Sequence, residues 1–293
     1  MQCTNPFFLR SQGFFVPCGK CLACRIAKRR EWSLRLTHQM TVQPDCIFLT
    51  LTYNDDNLPK DGNINKRSVQ LFMKRFRKRF GRGIKYFLCG EYGDDTFRPH
   101  YHSIIFGVGL QNYLGSCQSV ISFFRHGFRY FSVISDIWPY GYCVVSSVSV
   151  DTISYVCGYV TKKIRGSLEK YKKLGLKQMP FQLQSQGLGL DFILQENQSF
   201  RLQREMFTYF KGHKCSLPRY YRKKLSIIGE DMKPLVEKSQ MEVFKKLLDK
   251  GKISSHDMLY RNVVLPDFYF ECLKQQEATL FSKENLFNRR SSL

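Results

Sequence analysis

The sequence predicts an α+β fold, with a central, mostly antiparallel sheet of about five strands flanked by helices. Short runs rich in β-branched and aromatic residues recur between positions 47 and 148, and several are separated by turns of hairpin length. Such spacing is typical of neighbouring antiparallel strands. Amphipathic stretches alternate with these runs, and helices interleaved with strands in this way usually cover a sheet.

The first half of the chain holds the clearest elements. Residues 22–40 are predicted as a basic helix, and residues 47–53 as a strand that ends at the turn-forming run 54–57. A second helix is expected to begin at Ser68, a suitable N-cap residue, and to end at Phe80. Its phenylalanines lie on one stripe and its other face is basic, as expected for a helix that packs on a sheet.

Three more strands and one helix complete the predicted core. Strands are expected at 84–91, 101–106 and 142–148, the first two joined by a short glycine–aspartate turn. Asp151 is predicted to cap a helix that ends near residue 164. The strand at 101–106 is expected near the middle of the sheet, with this last helix packed against it.

Three domains are predicted. Residues 1–45 form a basic N-terminal segment with a cysteine cluster, and residues 46–166 form the catalytic core. Residues 167–293 are expected to be a mostly helical extension that packs on the core.

The composition favours a nucleic-acid partner. Lysine and arginine number 46 against 24 acidic residues, which gives a formal charge of +22, and 15% of residues are aromatic. A basic surface attracts polyanions, and aromatic rings stack on unpaired bases, so single-stranded nucleic acid fits best. No apolar run approaches the roughly 20 residues that span a bilayer, so no membrane partner is expected.

Two histidines and a glutamate are predicted to bind a divalent metal ion. Side chains alternate along a strand, so His100 and His102 point to the same face. Glu91 ends the preceding predicted strand, and a hairpin brings its carboxylate beside the two rings. Two imidazoles and a carboxylate leave coordination positions open for a phosphate oxygen, and Mg²⁺ or Mn²⁺ suits such a site.

Two tyrosines are the candidate nucleophiles. Tyr155 and Tyr159 are four residues apart and therefore share one face of the predicted helix. Lys162 and Lys163 follow at positions from which one of them can lie near Tyr159, lowering its pKa or holding a phosphate. Taken alone, such a tyrosine pair usually reflects packing, whereas beside a metal site it indicates covalent phosphoryl chemistry.

Several motifs together resemble a known family. They are Phe48-Leu49-Thr50-Leu51-Thr52-Tyr53, Gly90-Glu91-Tyr92-Gly93, Arg98-Pro99-His100-Tyr101-His102 and Tyr155-x3-Tyr159-x3-Lys163. In this order they resemble the histidine-hydrophobe-histidine rolling-circle endonucleases, and more closely the replication initiators of the gokushovirus branch of the microviruses. The run from Cys18 to Cys24 and the run from Leu217 to Tyr221 also resemble that group. The likeness therefore covers most of the chain.

The resemblance implies a mechanism and partners. His100, His102 and Glu91 would hold the metal, and a tyrosine would attack the origin phosphate, leaving a 5′-phosphotyrosine and a free 3′-hydroxyl. The second tyrosine would cut the regenerated origin, and strand transfer with ligation would release a closed circle. The implied partners are single-stranded origin DNA and the host replication polymerase and helicase, in the cytoplasm of a bacterial host. Tyr101 is expected to face away from the site.

Two alternatives remain open at this stage. A transposase or a plasmid relaxase built on the same site would act on other DNA sequences. A non-catalytic nucleic-acid-binding packaging protein would bind without divalent metal and without a covalent link.

A second metal is suggested near the N-terminus. Cys18, Cys21 and Cys24 are spaced by three residues, and Cys3 or His38 can complete a tetrahedral zinc site. The spacing is not a standard one because it overlaps the start of the first helix. A structural zinc site and a set of free thiols fit the sequence equally well.

Overall fold

The computed structural model describes residues 3–9, 14–93, 96–125, 127–162, 171–205, 207–228 and 274–283. The chain divides into two compact units, one formed by Arg29–Arg201 and the other by Met1–Lys28 together with Leu202–Leu293. The three domains expected from the sequence stay a prediction.

The described ranges contain short and long elements of both types. The strands are β1 (Phe7–Leu9), β2 (Phe14–Val16), β3 (Cys46–Tyr53), β4 (Lys85–Tyr92), β5 (Pro99–Phe106), β6 (Ser119–Arg125), β7 (Phe128–Ile134), β8 (Gly141–Ser147), β9 (Phe181–Gln184), β10 (Phe207–Phe210) and β11 (His213–Ser216). The helices are α1 (Leu22–Val42), α2 (Lys66–Phe80), α3 (Leu110–Gly115), α4 (Val150–Lys162), α5 (Leu190–Ile193), α6 (Glu196–Glu205) and α7 (Arg219–Ile228). A further helical segment covers residues 274–283. None of the helices in these ranges has the length and apolar character that crossing a bilayer requires.

A seven-stranded sheet forms the centre of the larger unit, in the order β6-β7-β8-β3-β5-β4-β9. All of its pairings are antiparallel. The predicted α+β class is therefore confirmed, and the histidine strand β5 lies next to the central strand. The strand count exceeds the expected five because the hairpin β6–β7 and the edge strand β9 were not anticipated. β9 comes from a region that was expected to contain helices and loops.

The two faces of this sheet bury different helices. On the first, which we call the α2 face, Phe72 and Phe76 pack with Leu49, Leu51 and Tyr101 of the strands. The second is the α4 face. There Trp32 and Leu36 of α1, with Ile153 and Val156 of α4, pack with strand residues that alternate with those of the first face; these include Phe48, Phe87, Ile104 and Phe106. Helices therefore cover both faces, and the period of two sends β5 side chains to each face in turn.

Two helix caps differ from the expected ones. The side chain of Asn65, not Ser68, caps α2, because its Oδ1 accepts from the backbone N–H groups of Arg67 and Ser68. At α4 the residue before the helix does the work. Ser149 Oγ accepts from Thr152 N–H at 3.2 Å, and Thr152 Oγ1 accepts from Ser149 N–H at 2.8 Å. Asp151 instead lies inside the first turn, where its negative charge suits the helix dipole.

One glycine is required by close packing beside the site. A Cβ atom at Gly90 would lie 2.9 Å from Cζ of Phe181 and 3.2 Å from Cδ1 of Tyr101. Both distances are shorter than ordinary carbon contacts. Glycine at this position therefore lets the edge strand β9 and the Tyr101 ring pack against β4, one residue before Glu91.

The smaller unit contains two hairpins. β1 pairs with β2 and β10 pairs with β11, each antiparallel. In its C-terminal part, Leu202, Tyr221 and Leu225 are fully buried.

Candidate active site

Strand register brings the predicted metal ligands onto one face of the sheet. Glu91 of β4 lies directly opposite His100 of β5. On the other side of β5, His102 lies opposite Thr50 of β3. Side chains at paired positions project to the same face. Glu91, His100 and His102 therefore all lie on the α4 face.

His102 and Glu91 are in contact. The distance from His102 Nε2 to Glu91 Oε1 is 3.3 Å, and both residues are buried. The other ring nitrogen of His102, Nδ1, is 3.0 Å from the hydroxyl of Thr50. A partner at Nδ1 fixes the orientation of the ring and directs Nε2 toward the carboxylate. Thr50 was not identified as a site residue from the sequence.

His100 is oriented by the backbone. Its Nδ1 lies 2.7 Å from the carbonyl oxygen of Arg98. Because a carbonyl only accepts, Nδ1 carries the proton and Nε2 keeps its lone pair. Burial lowers the pKa of His100 below its ordinary value. The neutral ring with Nε2 available is the form that binds a metal ion.

These three side chains fit a divalent cation. Adjacent ligands of an octahedral ion with bonds of about 2.1 Å are about 3 Å apart, close to the 3.3 Å between His102 and Glu91. His100 is less tightly gathered, since its ring is parallel to that of His102 with centroids 6.3 Å apart. Binding of one cation by all three requires the His100 side chain to move toward the pair.

Helix α4 places both tyrosines beside His102. The rings of Tyr159 and His102 are stacked, with centroids 4.8 Å apart and an interplanar angle of 5°. Tyr155 meets His102 edge-on, with centroids 5.8 Å apart. The Tyr159 hydroxyl donates a hydrogen bond to the Tyr155 hydroxyl. The four-residue spacing on a helix thus puts two phenols next to the candidate metal ligands.

The two tyrosines have different environments. Tyr155 is 53% exposed, whereas Tyr159 is 6% exposed. Burial, with the nearby charge of Glu91 as the next cause, raises the pKa of Tyr159 far above its ordinary value. Phe48 contacts both Tyr155 and His102, with ring centroids 6.3 Å and 6.1 Å away. It was not recognised from the sequence as part of the site, although it shares its strand face with Thr50.

Two other candidates do not join the site. Lys163 lies outside the described residues, so its predicted role stays a prediction. Tyr101 lies on the α2 face, as strand alternation predicts, and its hydroxyl accepts from Asn65 N–H at 2.7 Å.

The comparisons with known proteins agree on one family. The family model for the replication-associated protein ORF2 matches residues 46–164. This segment runs from β3 through α4 and contains the candidate metal ligands and both tyrosines. Residues 46–164 therefore belong to this family of replication-associated proteins, and the resemblance to the microvirus type is confirmed.

Three curated phage proteins are similar to the chain. Replication-associated protein VP4 of Bdellovibrio phage phiMH2K is 34% identical over 159 residues, which is 52% of this chain and 49% of that protein. Replication-associated protein ORF2 of Spiroplasma virus 4 is 29% identical over 90% of this chain and 82% of that protein. Replication-associated protein ORF4 of Chlamydia phage 1 is 28% identical over 74% of this chain and 55% of that protein. The chain thus spans about half the length of the Bdellovibrio and Chlamydia phage proteins. No solved structure matches the chain.

Proposed function

We propose that this protein starts rolling-circle replication of a small phage genome by nicking single-stranded origin DNA with a tyrosine nucleophile and later rejoining the strand. The observation that carries the proposal is the position of two phenols on α4 beside His102, which is itself 3.3 Å from Glu91. All three curated relatives are named replication-associated proteins.

The proposed metal site comprises His100, His102 and Glu91. When bound there, Mg²⁺ or Mn²⁺ would withdraw charge from a non-bridging oxygen of the scissile phosphate. The protein's own part is to hold the phosphate against a phenol. His102 is fixed by Thr50, and α4 is fixed by packing in the α4-face cluster that contains Tyr159. Such positioning converts the attack into an intramolecular step.

The chemical step is a phosphoryl transfer. A tyrosine Oη forms a bond to phosphorus, the phenol proton is lost, and the bond from phosphorus to the 3′-oxygen breaks. The leaving 3′-oxygen takes up a proton and becomes a free hydroxyl, while the 5′-phosphate stays on the tyrosine. Reversal by a 3′-hydroxyl rejoins the strand without a nucleotide cofactor, because the phosphotyrosine bond keeps the energy of the phosphodiester.

We assign the first cleavage to Tyr155. Its ring is half-exposed, so an incoming strand can reach it, whereas Tyr159 lies under it against His102. A raised pKa disfavours the phenolate of Tyr159 while Glu91 is unneutralised nearby. The hydroxyl–hydroxyl contact keeps Tyr159 next to the same phosphate position. Tyr159 then acts in the second cleavage, when the regenerated origin arrives.

The partners follow from the chemistry. The formal charge of +22 favours DNA as the substrate. The free 3′-hydroxyl is the primer for a host polymerase, and a host helicase would separate the strands. The names of the relatives favour replication over transposition or plasmid transfer. A packaging protein has no need for tyrosines beside a histidine–glutamate pair.

A labelled-DNA assay tests the proposal. A pool of random-sequence single-stranded oligonucleotides, labelled at the 3′ end, is incubated with the protein and Mn²⁺ or Mg²⁺ and run on a denaturing gel. We expect labelled protein, and recovery of the bound DNA gives the cut sequence. With a 5′ label, the released fragment should instead be extended by a polymerase.

Matched variants locate the nucleophile. The double variant Tyr155→Phe/Tyr159→Phe should bind DNA with unchanged affinity but form no adduct. Tyr142→Phe is the control, because Tyr142 is 60% exposed and lies on the α4 face opposite Thr52. An adduct with the double variant, or its loss in the Tyr142 control, would contradict the assignment.

A further inference from the structure

We propose that Cys3, Cys18, Cys21 and Cys24 bind one structural zinc ion, separate from the candidate active site. The proposal concerns the first 28 residues, all within the smaller unit, and does not depend on the proposed nicking activity. Among the described residues, these four are the group of potential ligands whose ligand atoms all lie within 4.8 Å of one another.

The sulfur positions match a zinc tetrahedron. Cys3 Sγ is 3.6 Å from Cys18 Sγ and 3.8 Å from Cys21 Sγ. Four thiolates bound at about 2.3 Å in tetrahedral geometry have sulfur–sulfur distances of about 3.8 Å. Both measured distances lie within about 0.2 Å of that value. The sulfurs are already where one ion would hold them.

Backbone amides point at the same sulfurs. Cys18 N–H donates to Cys3 Sγ at 3.3 Å, and Cys21 N–H donates to Cys18 Sγ at 3.3 Å. Lys20 N–H also donates to Cys18 Sγ, at 3.4 Å, and Cys24 N–H donates to Cys21 Sγ at 3.5 Å. Hydrogen bonds from amides stabilise negative charge on sulfur, which is the charge state a metal thiolate requires.

The local fold explains why the unusual spacing works. Cys18 and Cys21 lie on either side of a turn, in which Gly19 has a left-handed φ of 70°. Cys21 immediately precedes α1, and Cys24 lies in its first turn. The turn and the helix start therefore supply three ligands from one short run, and the overlap with the helix is what aims the third sulfur back at the others.

Cys3, not His38, supplies the fourth ligand. The ring of His38 is buried and stacks on Phe192 with centroids 3.8 Å apart, and it is not among the clustered ligands. The choice between Cys3 and His38 that the sequence left open is thus decided by position.

A disulfide is a poorer explanation of the cluster. A sulfur–sulfur bond is about 2.05 Å long, well below the 3.6 Å between Cys3 and Cys18. All four cysteines are free thiols. A pair would also leave the other two sulfurs crowded without a reason.

The ion has a structural task. β1 and β2 are three residues each and lie between Cys3 and Cys18. An isolated two-stranded hairpin of this size is marginal in water. Joining Cys3 and Cys18 through a metal closes the loop that contains the hairpin and fixes it to the start of α1. A closed four-sulfur site leaves no position for substrate, in keeping with a structural role.

Metal analysis of the full chain tests the site. Protein purified with a reductant and without chelator should contain about one zinc per chain. Alkylation followed by mass spectrometry should find these four thiols protected, and removal of zinc by a chelator should make them reactive. Cobalt-loaded protein should show the intense visible absorption of a tetrahedral thiolate site.

Variants make the test specific. Cys21→Ser and Cys3→Ser should lose most of the zinc, whereas Cys215→Ser should keep it, because Cys215 lies in β11 outside the cluster. If Cys21→Ser fails to fold, the alkylation pattern of the unmodified chain still decides. A chain that lacks zinc and takes up none, holds iron instead, or contains a Cys3–Cys18 disulfide overturns the proposal.

Discussion

The two faces of the central sheet carry two sets of tyrosines in contrasting surroundings. On the α2 face, Tyr53 and Tyr101 share a hydroxyl–hydroxyl contact of 3.0 Å, and Tyr101 also accepts from Asn65 N–H. Tyr92 accepts from Ile64 N–H at 3.2 Å and donates to the Gln178 carbonyl at 2.7 Å. These three phenols are buried, and they bond mainly to the backbone of loops that frame α2.

On the α4 face the phenols meet ionisable side chains instead. Tyr155 and Tyr159 contact His102, and Glu91 is close enough to influence the pKa of Tyr159. The same side-chain type therefore serves cohesion on one face and is suited to chemistry on the other. The difference comes from what faces each hydroxyl: backbone groups saturate the first set, whereas the second set faces a candidate metal site and, through Tyr155, solvent.

Single tyrosine substitutions should give the largest effects. Tyr155→Phe should lower the rate of first adduct formation by on the order of 10³-fold or more, because the nucleophile is removed while the positioning groups remain. Tyr159→Phe should leave that rate within about tenfold, since the loss of a neighbouring positioning group is worth only about one hydrogen bond. Quenched time courses of labelled adduct measure both.

The same pair also tests the order of action. Tyr159→Phe should form the first adduct yet fail to transfer the strand to a second origin site. If Tyr159→Phe were the slower variant in first cleavage, the assignment of Tyr155 to that step would be wrong, although the site itself would stand.

Substitution of His102 should come next in size. Loss of an outer partner of a metal ligand typically costs roughly 10- to 100-fold, so His102→Ala, which removes a ligand, should cost at least about 100-fold in metal-dependent cleavage. Thr50→Val removes only the hydroxyl at His102 Nδ1 and should raise the metal concentration needed for half-maximal cleavage by about tenfold.

The control for Thr50→Val is another threonine. Thr41→Val changes a hydroxyl that donates to the Thr37 carbonyl within α1, and it should leave the metal requirement unchanged. Equal metal requirements in Thr50→Val and the unmodified protein would remove Thr50 from the site.

Tyr101→Phe should have the opposite profile. It takes away the acceptor for Asn65 N–H and the partner of Tyr53, so the free energy of unfolding should fall by about 1–3 kcal/mol. Adduct formation at a temperature where the variant is folded should stay normal, because the ring faces away from His102. Urea unfolding and the adduct assay measure the two properties, and a large loss of adduct would break the comparison between the faces.

Much of this arrangement was predictable because it depends on local periodicity. The period of two places His100 and His102 on one face and Tyr101 on the other, and the helical spacing places Tyr155 above Tyr159. The helix over residues 22–40 and the strand over 47–53 were predicted to within a few residues. In these segments the apolar pattern is strong and the ends are marked by turn residues.

The missed features depend on long-range contacts. The strands of the hairpin β6–β7 are rich in β-branched and aromatic residues, with Gly127 at their turn, a signal that was available. However, β6 is exposed along its whole length, so no alternation of burial accompanied it. β9 has only four residues, and its place at the edge depends on the absence of a side chain at Gly90. Thr50 acts through a partner 52 positions away in sequence, which no local pattern reveals.

The smallest expected effect concerns how α4 is anchored. Ser149→Ala removes the reciprocal cap with Thr152 and should destabilise α4 by about 1 kcal/mol. Asp151→Ala removes only a charge near the helix N-terminus, an effect that salt of about 0.5 M should screen. Hydrogen exchange of α4 amides at that salt concentration should therefore increase about fivefold in Ser149→Ala and change little in Asp151→Ala. The reverse order would restore Asp151 as the cap. Because α4 carries both tyrosines, the Ser149 variant should also slow adduct formation a few-fold, which would tie the precision of the α4 face to a cap that the α2 face does not share.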